Sequence, residues 1–264
     1  MLNGKHITAV VPAFNTERTI ERTLAAIDRT VVDLILVVND GSRDRTVEIA
    51  ERLGARVVTH EKNKGYGAAQ KTGYATALQA GADVVVMVHS DFQYDPTLNA
   101  TVVAPIVRGE ADACFGSRMH SKRSALQGGM PLWRFVANIA LTFIEDCVLR
   151  LHLSEYHTGY RAYSRRTLER IPMHLNSNNY VFDTEMIAQL RAGNCRVAEV
   201  PIPTRYLEDS CSPTFRQSVR YGFNTLHVLW KYLMHRFRLH PSAQFEVGSG
   251  PGLQAVLTTK TVSS

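Results

Sequence analysis

Short apolar runs alternate with segments whose apolar residues recur every three or four positions, from residue 6 to about residue 200. The runs are rich in β-branched residues and the intervening segments have helical spacing, so strands and helices alternate along the chain. His6 to Val11 is a strand closed by Pro12, and Ile20, Leu24 and Ile27 share one face of a helix over residues 16–29. Asp33 to Val38 is the second strand, followed by a helix over 44–53 with Asp44 as its N-cap. Arg56 to Thr59 is the third strand. The loop Asn63-Lys64-Gly65-Tyr66-Gly67 then leads into a helix that ends near Ala80. The fourth strand, from Asp83 to Val88, is apolar throughout and reads as buried on both faces. It stops abruptly at His89-Ser90-Asp91-Phe92-Gln93-Tyr94-Asp95. This order predicts an α/β fold built on a mainly parallel, doubly wound central sheet with flanking helices.

Beyond it, a helix is expected over 96–108, a strand over 111–116, and a basic, Gly-containing loop over 117–129. Leu132 to Leu151 is apolar but broken by Arg134, Asn138, Glu145 and Asp146, so it reads as an amphipathic helix rather than a membrane span. Helices follow after Ser164 and over 183–191, then a strand over 196–200 that Pro201 and Pro203 bring to an edge or an exit. Residues 214–238 form a last helix. It carries one apolar stripe (Phe215, Val219, Phe223, Leu226, Leu229 or Trp230, Leu233, Phe237) and one basic stripe (Arg216, Arg220, His227, Lys231, His235, Arg238). No acidic residue occurs between Ser210 and Phe245. Such a helix packs on the domain with a solvated face or lies on anionic lipid headgroups. Residues 241–264 are rich in Gly, Ser and Thr without periodicity and are expected to be a disordered tail. The chain thus divides into a catalytic domain over 1–206, a loop and basic helix over 207–240, and the tail.

The 264 residues suffice for one sizeable core. A net charge of +6 suits an anionic partner, a phosphorylated substrate or a membrane surface, and no segment resembles a nucleic-acid module. Cys114, Cys147, Cys195 and Cys211 form no CxxC or Cys/His metal pattern and read as buried free thiols in a reducing cytoplasm. Met1 to Lys5 runs straight into a strand, without the pattern of a signal peptide. These features imply a cytoplasmic protein, with the last helix as a candidate for peripheral attachment to the inner face of the membrane.

In open α/β sheets ligands bind outside the carboxyl ends of the strands. Three such ends carry chemistry here. Pro12-Ala13-Phe14-Asn15 leads into a helix N-terminus, whose free N–H groups favour phosphate. Asp40 follows the second strand, placed for a nucleobase or ribose. Asp91 and Gln93 follow the fourth, an alternating pair of oxygen ligands that diphosphate oxygens and water would complete around Mg²⁺ or Mn²⁺. Taken singly, Asp40 reads equally as a turn residue and Asp91 as a helix cap.

Five segments in order resemble family 2 glycosyltransferases with the GT-A fold. They are Val10-Val11-Pro12-Ala13-Phe14-Asn15, Val38-Asn39-Asp40-Gly41-Ser42-Arg43-Asp44-Arg45-Thr46, Asn63-Lys64-Gly65-Tyr66-Gly67-Ala68-Ala69, Ser90-Asp91-Phe92-Gln93 and Gly116-Ser117-Arg118. Within the family the resemblance is to the branch of dolichol- and polyprenyl-phosphate sugar transferases, and it covers roughly residues 5–235.

The resemblance implies a nucleotide pocket lined by Pro12, Ala13, Phe14, Glu17 and Ser90, a base contact at Asp40, and closure over it by Lys64 and Gly65. Asp91 and Gln93 match the branch's metal-binding "DxDxQ" stretch, in which His89 stands where the first Asp is usual. His89 is thus a candidate third ligand, since imidazole tolerates Mn²⁺, or a packing residue. Asn39 likewise replaces the first of the family's two acids. Arg118 and Arg134 match basic positions that face diphosphate or acceptor phosphate. Thr158-Gly159-Tyr160-Arg161 resembles an acceptor stretch, making Thr158 and Arg161 substrate contacts. Phe182-Asp183-Thr184-Glu185 resembles "FQxE" with Asp183 in place of Gln. Asp183 or Glu185 is then a general base for a hydroxyl acceptor, or orients an acceptor already ionised as a phosphate. Arg205, in a flexible loop reaching Phe215, is a further phosphate contact.

The implied activity is inverting transfer of a sugar from a nucleotide-diphospho-sugar, UDP- or GDP-linked, to a polyprenyl phosphate. The alternatives are a soluble or saccharide acceptor, and a nucleotide-sugar-binding protein without turnover.

Overall fold

The computed structural model describes residues 2–121, 130–203 and 215–248. Seven strands form one sheet: β1 (Ile7–Ala13), β2 (Leu34–Asn39), β3 (Arg56–Thr59), β4 (Val84–Met87), β5 (Ala113–Ser117), β6 (Arg161–Ser164) and β7 (Val197–Pro201), in the order β3-β2-β1-β4-β6-β5-β7. Neighbours are parallel except at β6, which runs antiparallel to both β4 and β5. The sheet is thus mainly parallel, as expected, while residues 161–164 had no expected strand. The segment is as short as β3 but, unlike β3, contains no β-branched residue to mark it as a strand.

The helices are α1 (Ile20–Ala25), α2 (Thr46–Arg52), α3 (Tyr66–Gln79), α4 (Asn99–Val107), α5 (Leu132–Leu149), α6 (Arg165–Arg170), α7 (Phe182–Ala192) and α8 (Phe215–Arg236). Side chains of β1 and β4 alternate between the two faces of the sheet, as the two-residue period of a strand requires. Ile7, Ala9, Val11, Val84 and Val86 join one apolar cluster with Ile20 and Leu24 of α1, Ile49 of α2, and Val102 and Val103 of α4. Val10, Val85 and Met87 join a second with Tyr74 of α3, Phe182 and Met186 of α7, and Leu229 and Tyr232 of α8. At Gly73 of α3 a Cβ would come within 2.3 Å of Val10, so glycine lets this helix lie close on β1.

Helix α1 is much shorter than expected. Asn15 has φ +53°, and residues 16–19 make a turn in which Thr19 and Ile20 donate to the Thr16 carbonyl before the helix begins. The other α/β elements lie within two or three residues of expectation.

Two further departures concern the C-terminal side. Residues 243–245 form a 3₁₀ turn with Phe245 buried edge-on to Tyr232, so the chain from 241 to 248 is docked rather than a tail. Lys231 donates to the Gln244 side chain at 2.6 Å and His235 accepts from the Ser242 amide, which takes both out of the expected basic stripe. Cys114 and Cys195 are buried free thiols, whereas Cys147 is exposed. Cys211, residues 122–129 of the expected basic loop, and residues 249–264 of the expected tail lie outside the described residues.

Candidate active site

Strand β1 is flanked by β2 on one side and β4 on the other, so the chain leaves it in opposite directions and a crevice opens at the carboxyl ends of β1 and β4. A hollow of about 200 Å³ lies there, lined by Asn15, Thr16, Glu17, Arg18, Thr19, Asp44 and Asp91. It brings Glu17 and Asp91 together from elements more than seventy residues apart. Asp40 is not part of its wall.

The turn after β1 does not offer the free amides expected of it. Asn15 N–H donates to Ser42 Oγ, Thr16 N–H to Thr46 Oγ1, and Glu17 N–H to Asp44 Oδ2. The β2–α2 loop thus caps these donors before any phosphate arrives. Burial works to raise the Asp44 carboxyl, but its bonds from Thr46 and Glu17 outweigh this and hold it below the usual carboxylate range. Glu17 Oε2 in turn accepts from the Arg45 amide. Pro12 is half-buried and Ala13 buried, while the Phe14 ring is 47% exposed.

Asp40 is 4% exposed and fully engaged by the protein. Its Oδ1 contacts His60 Nδ1 at 2.7 Å and accepts from the Lys64 amide at 2.9 Å, while Oδ2 accepts from the Gly65 amide at 2.9 Å. In place of the expected base contact, Asp40 pins the loop before α3. That loop needs glycine at 65, where φ is +99° and a Cβ would lie 2.4 Å from the Asn178 carbonyl oxygen. The Lys64 side chain is exposed beside it.

Asp91 is set by a tight turn. Its Oδ1 accepts from the Gln93 amide, and Phe92 between them adopts φ +58° with its ring buried beneath the Arg22 guanidinium, 4.0 Å from the ring centroid. A bulky residue in this left-handed conformation is strained and persists only where packing over-determines it. Thr23 Oγ1 donates to the Ser90 carbonyl and ties the same turn to α1.

Behind Asp91 runs a polar network that the motifs alone do not reveal. Tyr66 Oη lies 3.2 Å from His89 Nε2 and 3.3 Å from Asp183 Oδ2. Gln70 donates to Asp183 Oδ1 at 3.0 Å, and the Arg161 guanidinium sits 3.7 Å from the same oxygen. Burial, then the Asp183 charge, pushes the Tyr66 phenol well above its ordinary value. Burial, helped by the Arg118 and Arg161 charges, lowers His89 more than the neighbouring Asp91 and Asp183 raise it, so its imidazole is held below the ordinary histidine value. Arg161 is fully buried and donates to the carbonyls of Thr158, Asp183 and Tyr156. It staples β6 to α7 instead of meeting substrate, and Thr158, 1% exposed, is equally withdrawn.

Three other expected contacts have other partners. The Arg118 guanidinium is 9% exposed and forms a fork with Glu155 through Nε and Nη2, and the Arg118 amide adds a bond of 2.7 Å. Glu185 accepts from Ser177 N and Oγ and from Gln244, which anchors the docked 243–245 turn. Arg134 lies near the start of α5, its guanidinium 5.1 Å from the Trp133 ring centroid. Arg205 lies outside the described residues. Tyr66 lies in a matched segment but has no expected role, and His60 and Glu155 lie outside the matched segments, although their types could have flagged them. Their partners could not be flagged in this way.

Comparison with known proteins decides the family. Glycosyl transferase family 2 matches residues 8–171, well over half of the chain. The chain belongs to this family. A UDP-N-acetylglucosamine–dolichyl-phosphate N-acetylglucosaminyltransferase of Methanococcus voltae is 29% identical over 78% of the chain and 88% of its own length. A dolichyl-phosphate hexose transferase of Haloferax volcanii is 31% identical over 75% and 82%. An uncharacterized Methanocaldococcus jannaschii protein is 33% identical over 89% and 94%. The family 2 chain therefore stands with the dolichyl-phosphate sugar transferase branch, and it is a glycosyltransferase. Among solved structures, glucosyl-3-phosphoglycerate synthase of Mycobacterium tuberculosis, in complex with Mn²⁺, UDP-glucose and phosphoglyceric acid, has a TM-score of 0.68 at 22% identity, covering 87% of this chain and 80% of that one. That likeness establishes the GT-A fold.

Proposed function

We propose that this family 2 enzyme transfers a hexosyl unit from a nucleotide-diphospho-sugar to a polyprenyl phosphate, with inversion at the anomeric carbon, at an anionic membrane surface. The observation that carries the reading is the shared hollow of Glu17 and Asp91 at the β1/β4 crevice. The exposed Phe14 ring offers a stacking face to a nucleobase. The names of the dolichyl-phosphate relatives support the acceptor, and the UDP complexes of the fold neighbour support the donor class.

The fit of a divalent cation rests on the chain's own donors. No group of three or more His, Cys, Asp or Glu that could hold a metal exists among the described residues. Asp91 is partly exposed, with the half-buried His89 imidazole two residues before it and the Gln93 amide oxygen two residues after it. Such a set suits Mg²⁺ or Mn²⁺ when substrate phosphates supply the other oxygens. Asp91, Gln93 and His89 are the residues that would hold it. When bound, the cation would neutralise charge developing on the departing nucleoside diphosphate.

In the proposed reaction a phosphate oxygen of the acceptor attacks the anomeric carbon. The carbon–oxygen bond to the donor diphosphate breaks, and the electron pair leaves with the nucleoside diphosphate. A phosphate acceptor is already ionised and needs no base. The engagement of both candidate acids supports this choice: Asp183 is held by Tyr66, Gln70 and Arg161, and Glu185 by Ser177 and Gln244. Their role is to orient the walls of the site.

The surface of α5 and α8 supports a membrane-borne acceptor. Helix α5 turns its polar residues inward: Asn138 donates to Glu155, Glu145 faces His157 at 3.0 Å, and Asp146 accepts from Tyr156. Its outward face is Leu132, Trp133, Val136, Phe143 and Ile144. Helix α8 adds exposed Val219, Phe223, Leu226 and Trp230, interleaved with exposed Arg216 and Arg220. An apolar patch of this extent with a basic fringe fits the headgroup region of an anionic bilayer. No helix among the described residues is long and apolar enough to cross one. The test is transfer of label from UDP- and GDP-sugars into an organic-soluble product with polyprenyl phosphate. Transfer that occurs equally well to water-soluble acceptors refutes the lipid acceptor.

A further inference from the structure

His89 occupies the place where the branch's motif has its first carboxylate, and the structure gives its ring a built socket. At Gly159 a Cβ would lie 2.1 Å from His89 Nε2, so only glycine leaves room for the imidazole. The ring also packs edge-on to Tyr94, centroids 5.0 Å apart, and tilted against Tyr66 at 5.7 Å. A side chain held from three sides has one orientation.

The hydrogen-bond network also fixes which ring nitrogen carries the proton. Tyr66 Oη has one hydrogen to share between His89 Nε2 and Asp183 Oδ2. Asp183 is a carboxylate facing the buried Arg161 guanidinium, and a carboxylate only accepts. The charge-assisted bond from Tyr66 to Asp183 is the stronger of the two. The Tyr66 oxygen therefore accepts from His89 Nε2–H, which leaves Nδ1 as the ring nitrogen open to another ligand. Nδ1 has no hydrogen-bond partner among the described residues, and the ring is partly exposed two residues before Asp91.

We infer that His89 Nδ1 replaces the missing carboxylate as a nitrogen donor to the divalent cation beside Asp91, which makes the site favour Mn²⁺ over Mg²⁺. This rests on the metal-dependent reading above and sharpens it. Imidazole suits borderline metals, whereas Mg²⁺ keeps to oxygen. Tyr66 and Gly159 act through His89 as positioning residues.

The test is pulsed electron paramagnetic resonance of Mn²⁺ bound to the full chain with UDP and, in parallel, with GDP. The expected result is a ¹⁴N modulation from coordinated imidazole, altered by ¹⁵N-histidine labelling and absent in His89→Gln. Competition should show His89→Asp narrowing the Mn²⁺ preference by about tenfold or more. Protein-bound Mn²⁺ that depends on nucleotide but shows no nitrogen coupling overturns the inference and leaves the transferase reading standing. No nucleotide-dependent Mn²⁺ binding at all overturns both. The wild-type spectrum decides the matter even if a variant fails to fold.

Discussion

Arg118 and Glu155 face each other fork to fork in the interior, the guanidinium 9% exposed and the carboxylate not at all. Asn138 of α5 donates to the same carboxylate at 3.0 Å, and Arg118 also donates to the His157 carbonyl. The residue that the motif assigns to a diphosphate thus joins the end of β5 to α5 and to the segment before β6. Burial works to raise the Glu155 carboxyl, but the Arg118 charge and the bonds from Arg118 and Asn138 outweigh it, and the net shift is downward.

Glu155→Gln is therefore expected to cost about 3–5 kcal/mol, because it leaves a buried guanidinium without its counter-charge. The sign with pH follows from the lowered carboxyl. The pair's contribution is complete above the unfolded-state value of about 4.3 and is lost as pH falls through that value toward the folded one. Denaturant titrations between neutral pH and about pH 3 should show this acid limb in the wild type and a flatter one in Glu155→Gln. A stability loss without any change of the acid limb would mean that the charge is not what holds the pair.

Asp91→Ala should leave the fold intact, since its only protein bond among the described residues is the local one from the Gln93 amide. Melting temperature should stay within a few degrees, while transfer falls about a thousandfold with the loss of several kcal/mol of charge stabilisation. The stabilisation of the wild type by nucleotide plus Mn²⁺ should disappear as well, because it reflects binding to the folded state alone. A variant that retains this metal-dependent shift would remove Asp91 from the cation site.

Phe245→Ala should destabilise the protein by about 3 kcal/mol or more. Its ring is 2% exposed and packs on Tyr232, in a stretch whose composition suggests a tail. Truncation after residue 240 should have the same effect. Unchanged thermal unfolding in either would show that residues 243–245 contribute nothing to the core.

Phe143→Glu on α5 and Phe223→Glu on α8 should abolish flotation with anionic liposomes while leaving stability within about 0.5 kcal/mol, because both rings are exposed, at 69% and 70%. Arg216→Glu with Arg220→Glu should weaken flotation most at low salt, where the headgroup field is least screened. Flotation that ignores all four substitutions would exclude this surface as the contact.

Much of this was legible in the chain. β4 announced itself as an apolar run that ends in Asp91, and α5 and α8 showed their helical period. β6 did not, because Arg161-Ala162-Tyr163-Ser164 lacks the β-branched residues that mark β3 at the same length. The motifs located the crevice but not the partners within it. Asp40, Arg118 and Glu185 are charged residues whose type suits a ligand equally well, and only tertiary structure shows them taken by His60, Glu155 and Ser177. α5 misled in the opposite direction: its period predicted an amphipathic helix, but not that the polar side faces in.

The most direct test of the account is transfer of label from a panel of UDP- and GDP-sugars to polyprenyl phosphate in anionic vesicles with Mn²⁺, wild type beside Asp91→Ala. The account requires organic-soluble product from at least one donor, dependent on both the divalent ion and residue 91. Full transfer by Asp91→Ala, or undiminished transfer in the presence of a chelator, would contradict it.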